Sequence, residues 1–146
     1  MRGWDYHPTV GLVISGGLWC SERSCESIDR VERTTDSGST FEELAPLPNY
    51  LNHHCLKIVD EDSLFVAGGE TTRTTRREAF MYRFSTDSWT ALNPMTHGRK
   101  GLACSLVENQ SAQKQIVVTG GYGDDEGVLD SVEIWDVDTG LWLAGG

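Results

Sequence analysis

The fold is decided by the stretch "IVVTGG" at residues 116–121. Its β-branched run is typical of a strand, but the strand runs into two adjacent glycines. Such a pair weakens a strand unless the backbone bends there or another segment comes very close. The same pattern occurs as "LFVAGG" at residues 64–69 and as "LVISGG" at residues 12–17. The pairs recur every 52 residues, and their members are Gly16, Gly17, Gly68, Gly69, Gly120 and Gly121. This fixed period predicts a repeat protein.

A second pattern follows each glycine pair. The strand-like tetrads "VERT", "AFMY" and "VEIW" begin at residues 31, 79 and 132, and an aromatic residue stands ten positions after each beginning, namely Phe41, Trp89 and Trp142. Turn-forming residues separate tetrad and aromatic, which predicts a hairpin. A further apolar segment, such as "HHCLKIV" or "GLACSLV", opens the next unit. Each unit therefore predicts four short strands.

Four antiparallel strands in roughly 50 residues match the radially repeated sheets of a β-propeller. We expect an all-β protein with about three four-stranded antiparallel blades, in units of approximately 1–48, 49–96 and 97–146. Only fifteen residues precede the first glycine pair, which leaves little room for a first strand, and the third unit stops just after its aromatic. We expect an incomplete set of blades. The remaining blades would lie in the same chain or come from self-assembly, because open blade faces and edges need neighbours.

The motifs "LFVAGG…AFMYRFSTDSW" and "IVVTGG…VEIWDVDTGLW" resemble the kelch-repeat family. A kelch repeat carries an apolar strand ending in Gly-Gly, then a Val-x-Val-Tyr-like strand, a turn and a Trp. Tyr82 and Trp135 stand at the tyrosine position, whereas the first unit has Thr34 there and Phe41 in place of Trp. The resemblance implies a kelch-type β-propeller segment. It also implies a protein-protein interaction module, an adaptor or scaffold without catalytic activity, in which these aromatics belong to the blade core.

The composition limits the partners. The net charge is -10, which argues against nucleic acid or anionic membranes because phosphate binding requires a basic surface. No apolar run is long enough for a membrane-spanning helix. The opening "MRGWDYHPTV" lacks the apolar core of a signal peptide, and the compartment stays open between cytoplasm and exterior. We expect a protein partner of unknown identity, no cofactor and no metal.

The four cysteines fall into two groups. Cys55 and Cys104 occupy similar places in the first strands of successive units and are interpreted as small buried apolar residues. Cys20 and Cys25 lie in a longer insertion of the first unit. A disulfide across a hairpin, two free thiols and part of a zinc site all remain open for this second pair.

The loops between the second and third strands carry the candidate binding residues. The second unit has Arg73, Arg76 and Arg77 there, and the third has Asp124, Asp125 and Glu126. Equivalent loops emerge on one face of a propeller, so the basic and acidic clusters should lie side by side. They form either a solvated, self-paired surface or a charge-patterned binding rim. Trp19, beside Cys20, is the candidate aromatic anchor.

Two alternative functions depend on other residues. Asn109 begins the sequon Asn-Gln-Ser, and a glycan there, together with a Cys20–Cys25 disulfide, would indicate a secreted or cell-surface binding module, with glycans among its candidate ligands. Some kelch propellers are galactose-oxidase-like copper enzymes. That chemistry requires converging histidines, tyrosines and a cysteine, and the spacing of these residue types here does not predict such a cluster.

Overall fold

The computed structural model describes residues 1–145, which are built from strands and turns. None of these residues belongs to a helix long and apolar enough to cross a membrane. In chain order the strands are β1 (Gly3–His7), β2 (Gly11–Ser15), β3 (Leu18–Cys20), β4 (Cys25–Ser27), β5 (Val31–Thr34), β6 (Glu42–Leu44), β7 (Cys55–Ile58), β8 (Ser63–Ala67), β9 (Glu70–Thr71), β10 (Thr74–Thr75), β11 (Ala79–Arg83), β12 (Ser88–Ala91), β13 (Ala103–Glu108), β14 (Lys114–Thr119), β15 (Tyr122–Gly123), β16 (Gly127–Val128), β17 (Val132–Asp136) and β18 (Leu141–Ala144).

These strands form three antiparallel sheets of four strands, which we call blades 1, 2 and 3. Blade 1 has the order β1-β2-β5-β6, blade 2 the order β7-β8-β11-β12, and blade 3 the order β13-β14-β17-β18. A two-stranded hairpin leaves each blade between its second and third strands: β3-β4, β9-β10 and β15-β16. The three units therefore share one topology, and the predicted all-β fold of kelch-type blades is confirmed.

The first strand of blade 1 corrects one expectation. The fifteen residues before Gly16 include β1, which pairs along its whole length with β2, from Gly3 opposite Ser15 to His7 opposite Gly11. A strand of five residues and a short turn fit into this segment. Blade 1 thus has the same four strands as the other two blades.

Blade 2 lies between blades 1 and 3, and successive side chains along its strands point alternately toward one and the other, because neighbouring strand residues face opposite sides of a sheet. Leu56, Ile58, Leu64, Val66 and Tyr82 join the apolar cluster shared with blade 1. The intervening positions join the cluster shared with blade 3, which contains Cys55, Phe65, Ala67, Ala79 and, from blade 3, Ile116, Val118 and Trp135. Within residues 1–145, blade 2 is consequently covered on both faces, whereas blades 1 and 3 are each covered on one.

The glycine pairs end their strands because segments that connect the blades lie against them. A Cβ atom on Gly68 would lie 2.6 Å from the carbonyl oxygen of Arg99, and one on Gly69 would lie 2.7 Å from that of Asn52. Both glycines also have positive φ angles, 67° and 93°. The crowding comes from backbone atoms of two connections, the one that leads into blade 2 and the one that follows it.

The repeated aromatics pack on the preceding blade. The indole N–H of Trp89 donates to the Ala45 carbonyl at 2.9 Å, and that of Trp142 donates to the Asn93 carbonyl at 2.6 Å. Phe41 is 49% exposed and lies outside the apolar clusters, so the prediction that it belongs to the core was wrong. The physical reason is that blade 1 follows no other blade in residues 1–145, so Phe41 has no preceding connection to contact.

The interpretation of Cys55 and Cys104 as equivalent positions was wrong, although Cys55 is buried in an apolar cluster and Cys104 packs against it. Cys55 lies opposite Ala67, whereas Cys104 lies opposite Val118, one residue away from the equivalent register. Because neighbouring strand residues face opposite sides of a sheet, Cys55 faces blade 3 and Cys104 faces blade 2. Their sulfur atoms form a pair across the two blades.

Candidate functional site

The three hairpins lie side by side and form the surface that carries the predicted binding residues. The hairpins of blades 2 and 3 contact each other directly: Thr75 donates its backbone N–H to the Asp124 carboxylate at 2.7 Å, and the Asp124 N–H donates to the Thr75 hydroxyl at 3.3 Å. An open cleft of about 920 Å³ separates the hairpin of blade 2 from that of blade 1. The contact and the cleft make this surface uneven in shape.

The cleft lies between β3-β4 and β9-β10. Its lining includes two exposed apolar or aromatic side chains, Leu18 and Tyr50, and the exposed cation Arg73. The remaining lining residues are Cys25, Glu26, Ser27, Asn52, Glu70, Thr71 and Thr72. Aromatic and apolar groups beside a few charged groups are the usual composition of a recognition cleft.

Asn52 fixes the base of this cleft. The residue is 2% exposed, and its side-chain amide donates to the Ser27 hydroxyl at 2.6 Å. Its backbone exchanges hydrogen bonds with Glu70, with N···O distances of 3.2 and 2.9 Å. Asn52 thus connects both walls of the cleft, so that the two hairpins are held at a defined separation.

Glu70 is the charged centre at the same base. Its carboxylate accepts from the Lys100 ammonium group at 2.5 Å and lies 3.6 Å from the His53 ring. The hydrogen bond to Glu70 raises the pKa of Lys100. Lys100 comes from the connection into blade 3, so this ion pair joins the cleft to the neighbouring blade.

The predicted basic cluster divides into two environments. Arg73 and Arg77 are exposed, and Arg73 lies in the tight turn of the hairpin with φ of 67°. Arg76 is half-buried and pairs with Glu78 at 2.6 Å. Two of the three arginines therefore present their charge to solvent, and one is neutralised within its own blade.

The predicted acidic cluster is divided in the same way. Asp124 is engaged by Thr75, and Glu126 accepts a hydrogen bond from His97 at 3.0 Å, which lowers the pKa of Glu126. Asp125 is exposed. Within residues 1–145 no ion pair links the basic cluster to the acidic one, although the two clusters do lie on adjacent hairpins.

Trp19, Cys20 and Cys25 lie on the hairpin of blade 1. Trp19 is 60% exposed and lies opposite Glu26. The structure pairs the sulfurs of Cys20 and Cys25, whose Cα atoms are 4.0 Å apart. The disulfide in the native protein, the anchor role of Trp19 and glycosylation of Asn109 stay predictions. The Asn109 carboxamide itself is held in a turn by hydrogen bonds with Ser111 and Gln113.

Two buried polar pairs were missed by sequence reasoning. Ser15 and His54 lie 2.7 Å apart between blades 1 and 2, and Arg99 binds Glu133 at 2.8 Å with no exposure of the guanidinium. Neither pair lines the cleft: the first lies between blades 1 and 2, and the second joins the connection into blade 3 to β17. Among residues 1–145 no group of three or more histidines, cysteines or carboxylates is arranged to hold a metal ion.

Comparison with known proteins finds relatives whose sequences are similar to that of this chain. The chain is 30% identical over 142 residues to a kelch-like protein of Aspergillus terreus, 26% identical over 128 residues to an F-box/kelch-repeat protein of Arabidopsis thaliana, and 29% identical over 151 residues to a kelch repeat and BTB domain-containing protein of Danio rerio. These matches cover 90%, 86% and 92% of the chain, respectively.

The chain spans only 30%, 30% and 23% of the length of these three relatives, in the same order. No protein-family model matches it. The names of all three relatives nevertheless describe kelch or kelch-like proteins, and the three blades of this chain share one four-stranded topology. The diglycine motifs, the four-stranded blades and the named relatives together show that this chain is built from kelch-type repeats.

Proposed function

We propose that the chain is a protein-protein interaction module, acting as an adaptor or scaffold rather than an enzyme, and that its partner binds on the hairpin surface. The observation that carries this proposal is the cleft between the hairpins of blades 1 and 2, with exposed Tyr50, Leu18 and Arg73 in its lining. Two relatives support the same class of function, because their names describe kelch repeats joined to F-box or BTB regions.

Shape and charge indicate how a partner would bind. Tyr50 is 58% exposed and stands beside a cleft whose base is held by Asn52, so an inserted side chain would meet a fixed surface. Rigid aromatic anchors and arginines contribute most to protein interfaces. Arg73 and Arg77 would attract acidic groups of the partner, and Asp125 would attract a basic group beside them.

The test begins with a photo-reactive amino acid in place of Tyr50 in the full chain, to crosslink and identify the partner. With that partner we expect Tyr50→Ala and Trp19→Ala each to weaken binding by about thirtyfold, the loss typical of an aromatic hot spot. Arg73→Glu with Arg77→Glu should slow association and lower affinity by about tenfold.

Arg83→Glu is the matched control. Arg83 is also exposed, but it lies at the far end of β11 and pairs with Asp62 at 3.8 Å. Its reversal changes the net charge by the same amount per site without touching a hairpin. If the Tyr50, Trp19 and Arg73 variants bind the partner with the same affinity as the unmodified chain, the partner does not bind on this surface.

A further inference from the structure

Cys55 and Cys104 meet because of the one-residue offset in their registers. Cys55 is the first residue of β7, and Cys104 is the second residue of β13. The first strands of blades 2 and 3 are in contact. The offset directs the two sulfurs toward each other, and their Cα atoms are 6.0 Å apart, which is an ordinary separation for a disulfide.

Each cysteine is held by its own sheet. Cys55 is fixed opposite Ala67 in blade 2, and Cys104 opposite Val118 in blade 3. Backbone hydrogen bonds join the same two blades close by, from Gly101 to the His53 carbonyl at 2.9 Å. These strand pairings and this hydrogen bond do not depend on the sulfur–sulfur bond. The chain with both cysteines reduced should therefore keep its sheets, so that the bond can open without unfolding.

The environment sets the order of reaction. Cys55 is only 6% exposed, whereas Cys104 is half-buried. An incoming disulfide reaches the Cys104 sulfur more readily, since exposure governs access to the reacting thiolate. Cys55, held directly beside it, is placed to complete the exchange.

We propose that Cys55 and Cys104 form a reversible thiol–disulfide site that joins the first strands of blades 2 and 3 under oxidising conditions and opens under reducing ones. The oxidant is a low-molecular-weight disulfide such as oxidised glutathione. The Cys104 thiolate attacks one of its sulfurs and releases one small thiolate. The Cys55 thiolate then attacks the Cys104 sulfur and releases the second. Two protein thiols lose two protons and two electrons, and the small disulfide becomes two thiols.

The joined state should raise thermal stability. The bond closes a loop with a sequence separation of 49 residues, whereas the Cys20–Cys25 bond closes one of 5 residues at the tip of an exposed hairpin. Longer closed loops restrict the unfolded chain more. We expect oxidation of the Cys55–Cys104 pair to raise Tm by about 10 °C, and oxidation of the Cys20–Cys25 pair to raise it by about half as much.

The experiment equilibrates the full chain with reduced and oxidised glutathione in varied ratios, blocks free thiols with N-ethylmaleimide and digests with trypsin. Cleavage after Arg and Lys places all four cysteines on different peptides, with Cys55 on residues 34–57 and Cys104 on residues 101–114. Mass spectrometry then measures the linked fraction of each pair separately. Parallel thermal unfolding gives Tm at each ratio.

We expect the linked 34–57 and 101–114 peptides to disappear as the reduced fraction rises, while Tm falls in step. Cys104→Ser and Cys104→Ala should abolish most of the dependence of Tm on glutathione, and the control Cys20→Ser with Cys25→Ser should retain it. Absence of the linked peptides at every ratio overturns the proposal. The proposal is also overturned if the Cys55–Cys104 link persists at the most reducing ratio, or if Tm does not change with the linked fraction. If a Cys104 variant does not fold, the titration of the unmodified chain still decides.

Discussion

The junction between blades 1 and 2 differs from the junction between blades 2 and 3 at equivalent positions. Ser15 and Ala67 each precede a glycine pair, and His54 and Leu102 each stand two residues after the backbone bridge into their blade. One junction therefore contains a Ser–His hydrogen bond of 2.7 Å where the other contains two apolar side chains. The same backbone accommodates both solutions.

A second set of equivalent positions shows the reverse preference. The carbonyl groups of Leu51 and Arg99 accept equivalent hydrogen bonds, from Gly17 and Gly69, each at 2.8 Å. Arg99 forms a buried ion pair with Glu133, but the residues at these positions in blade 2 are Leu51 and Phe80. Blade 1 has a third version, in which Arg2 and Glu32 are 3.6 Å apart and the arginine is partly exposed.

These differences between equivalent positions show that the backbone hydrogen bonds are common to all units of the repeat. The buried side chains differ from blade to blade, and two contacting side chains differ together. A buried polar group is costly alone, so it appears together with its partner. A backbone donor is also matched to its acceptor. The Thr96 N–H donates to Glu133 at 2.6 Å. In the preceding unit the acceptor is replaced by Phe80, and the residue equivalent to Thr96 is Pro48, which has no N–H. Swapping one member alone should therefore cost more than swapping the set.

The largest effect is expected at Glu133. Glu133→Phe, which imports the residue of blade 2, should lower the free energy of unfolding by about 3–5 kcal/mol because it leaves a fully buried guanidinium without its carboxylate. Chemical denaturation with urea measures the change. Arg99→Leu together with Glu133→Phe should recover much of the loss, although the Thr96 N–H then lacks its acceptor.

The double variant is the decisive control for this pair. Coupled residues deviate from additivity, whereas independent ones do not. If the losses measured for Glu133→Phe alone and for Arg99→Leu alone simply add in the double variant, the two side chains are not energetically coupled, and the inference that they exchange as a pair is wrong.

A smaller effect should appear at His54 as the pH falls. Burial lowers the pKa of His54 from 6.5 to about 4, and the positive charges of the N-terminus and His53 act in the same direction. Because the folded-state pKa is depressed, the stabilising contribution is complete above pH 6.5 and is lost as the pH falls toward 4. The loss should reach about 3 kcal/mol over this window, measured as the free energy of unfolding.

Importing the other junction sharpens this test. His54→Leu with Ser15→Ala gives the junction between blades 1 and 2 the Leu and Ala that the junction between blades 2 and 3 has at the equivalent positions 102 and 67. The variant should lose the dependence of stability on pH between 6.5 and 4 that exceeds the general titration of carboxylates. A variant as sensitive to acid as the unmodified chain would rule out His54 as the source.

The smallest effect concerns the first strands. At one junction Asp5 accepts from the Ile58 N–H at 2.8 Å and from the Lys57 ammonium group at 3.3 Å, whereas at the other junction Cys55 and Cys104 are paired. Asp5→Asn should cost about 1 kcal/mol, since the charge pair is partly solvated and one backbone hydrogen bond persists. Lys57→Gln provides the reference, and a loss unaffected by 1 M salt would show that the charge contributes little.

Most of the architecture could be predicted from the sequence because it repeats. Three glycine pairs at one spacing, together with the tetrads and Trp89 and Trp142, specify strands whose order is then imposed by hairpin connections. The candidate cleft could not be predicted. It depends on the spatial separation of Leu18 and Arg73, which lie on equivalent hairpins of different length, and on Tyr50 from the connection between blades 1 and 2. The repeat predicts that the two hairpins are neighbours but does not give the width of the gap between them.

The sequence by itself determined the kelch repeat, its all-β class and the position of the charged hairpins, because each of these is encoded locally in spacing and residue type. Only the tertiary structure decided which faces meet. It turned Cys104 toward Cys55 through a one-residue change of register, left Phe41 exposed, and buried Arg99 beside Glu133. The physical reason is that register and neighbouring blades decide whether a side chain is covered, and both are properties of strands brought together from distant parts of the chain.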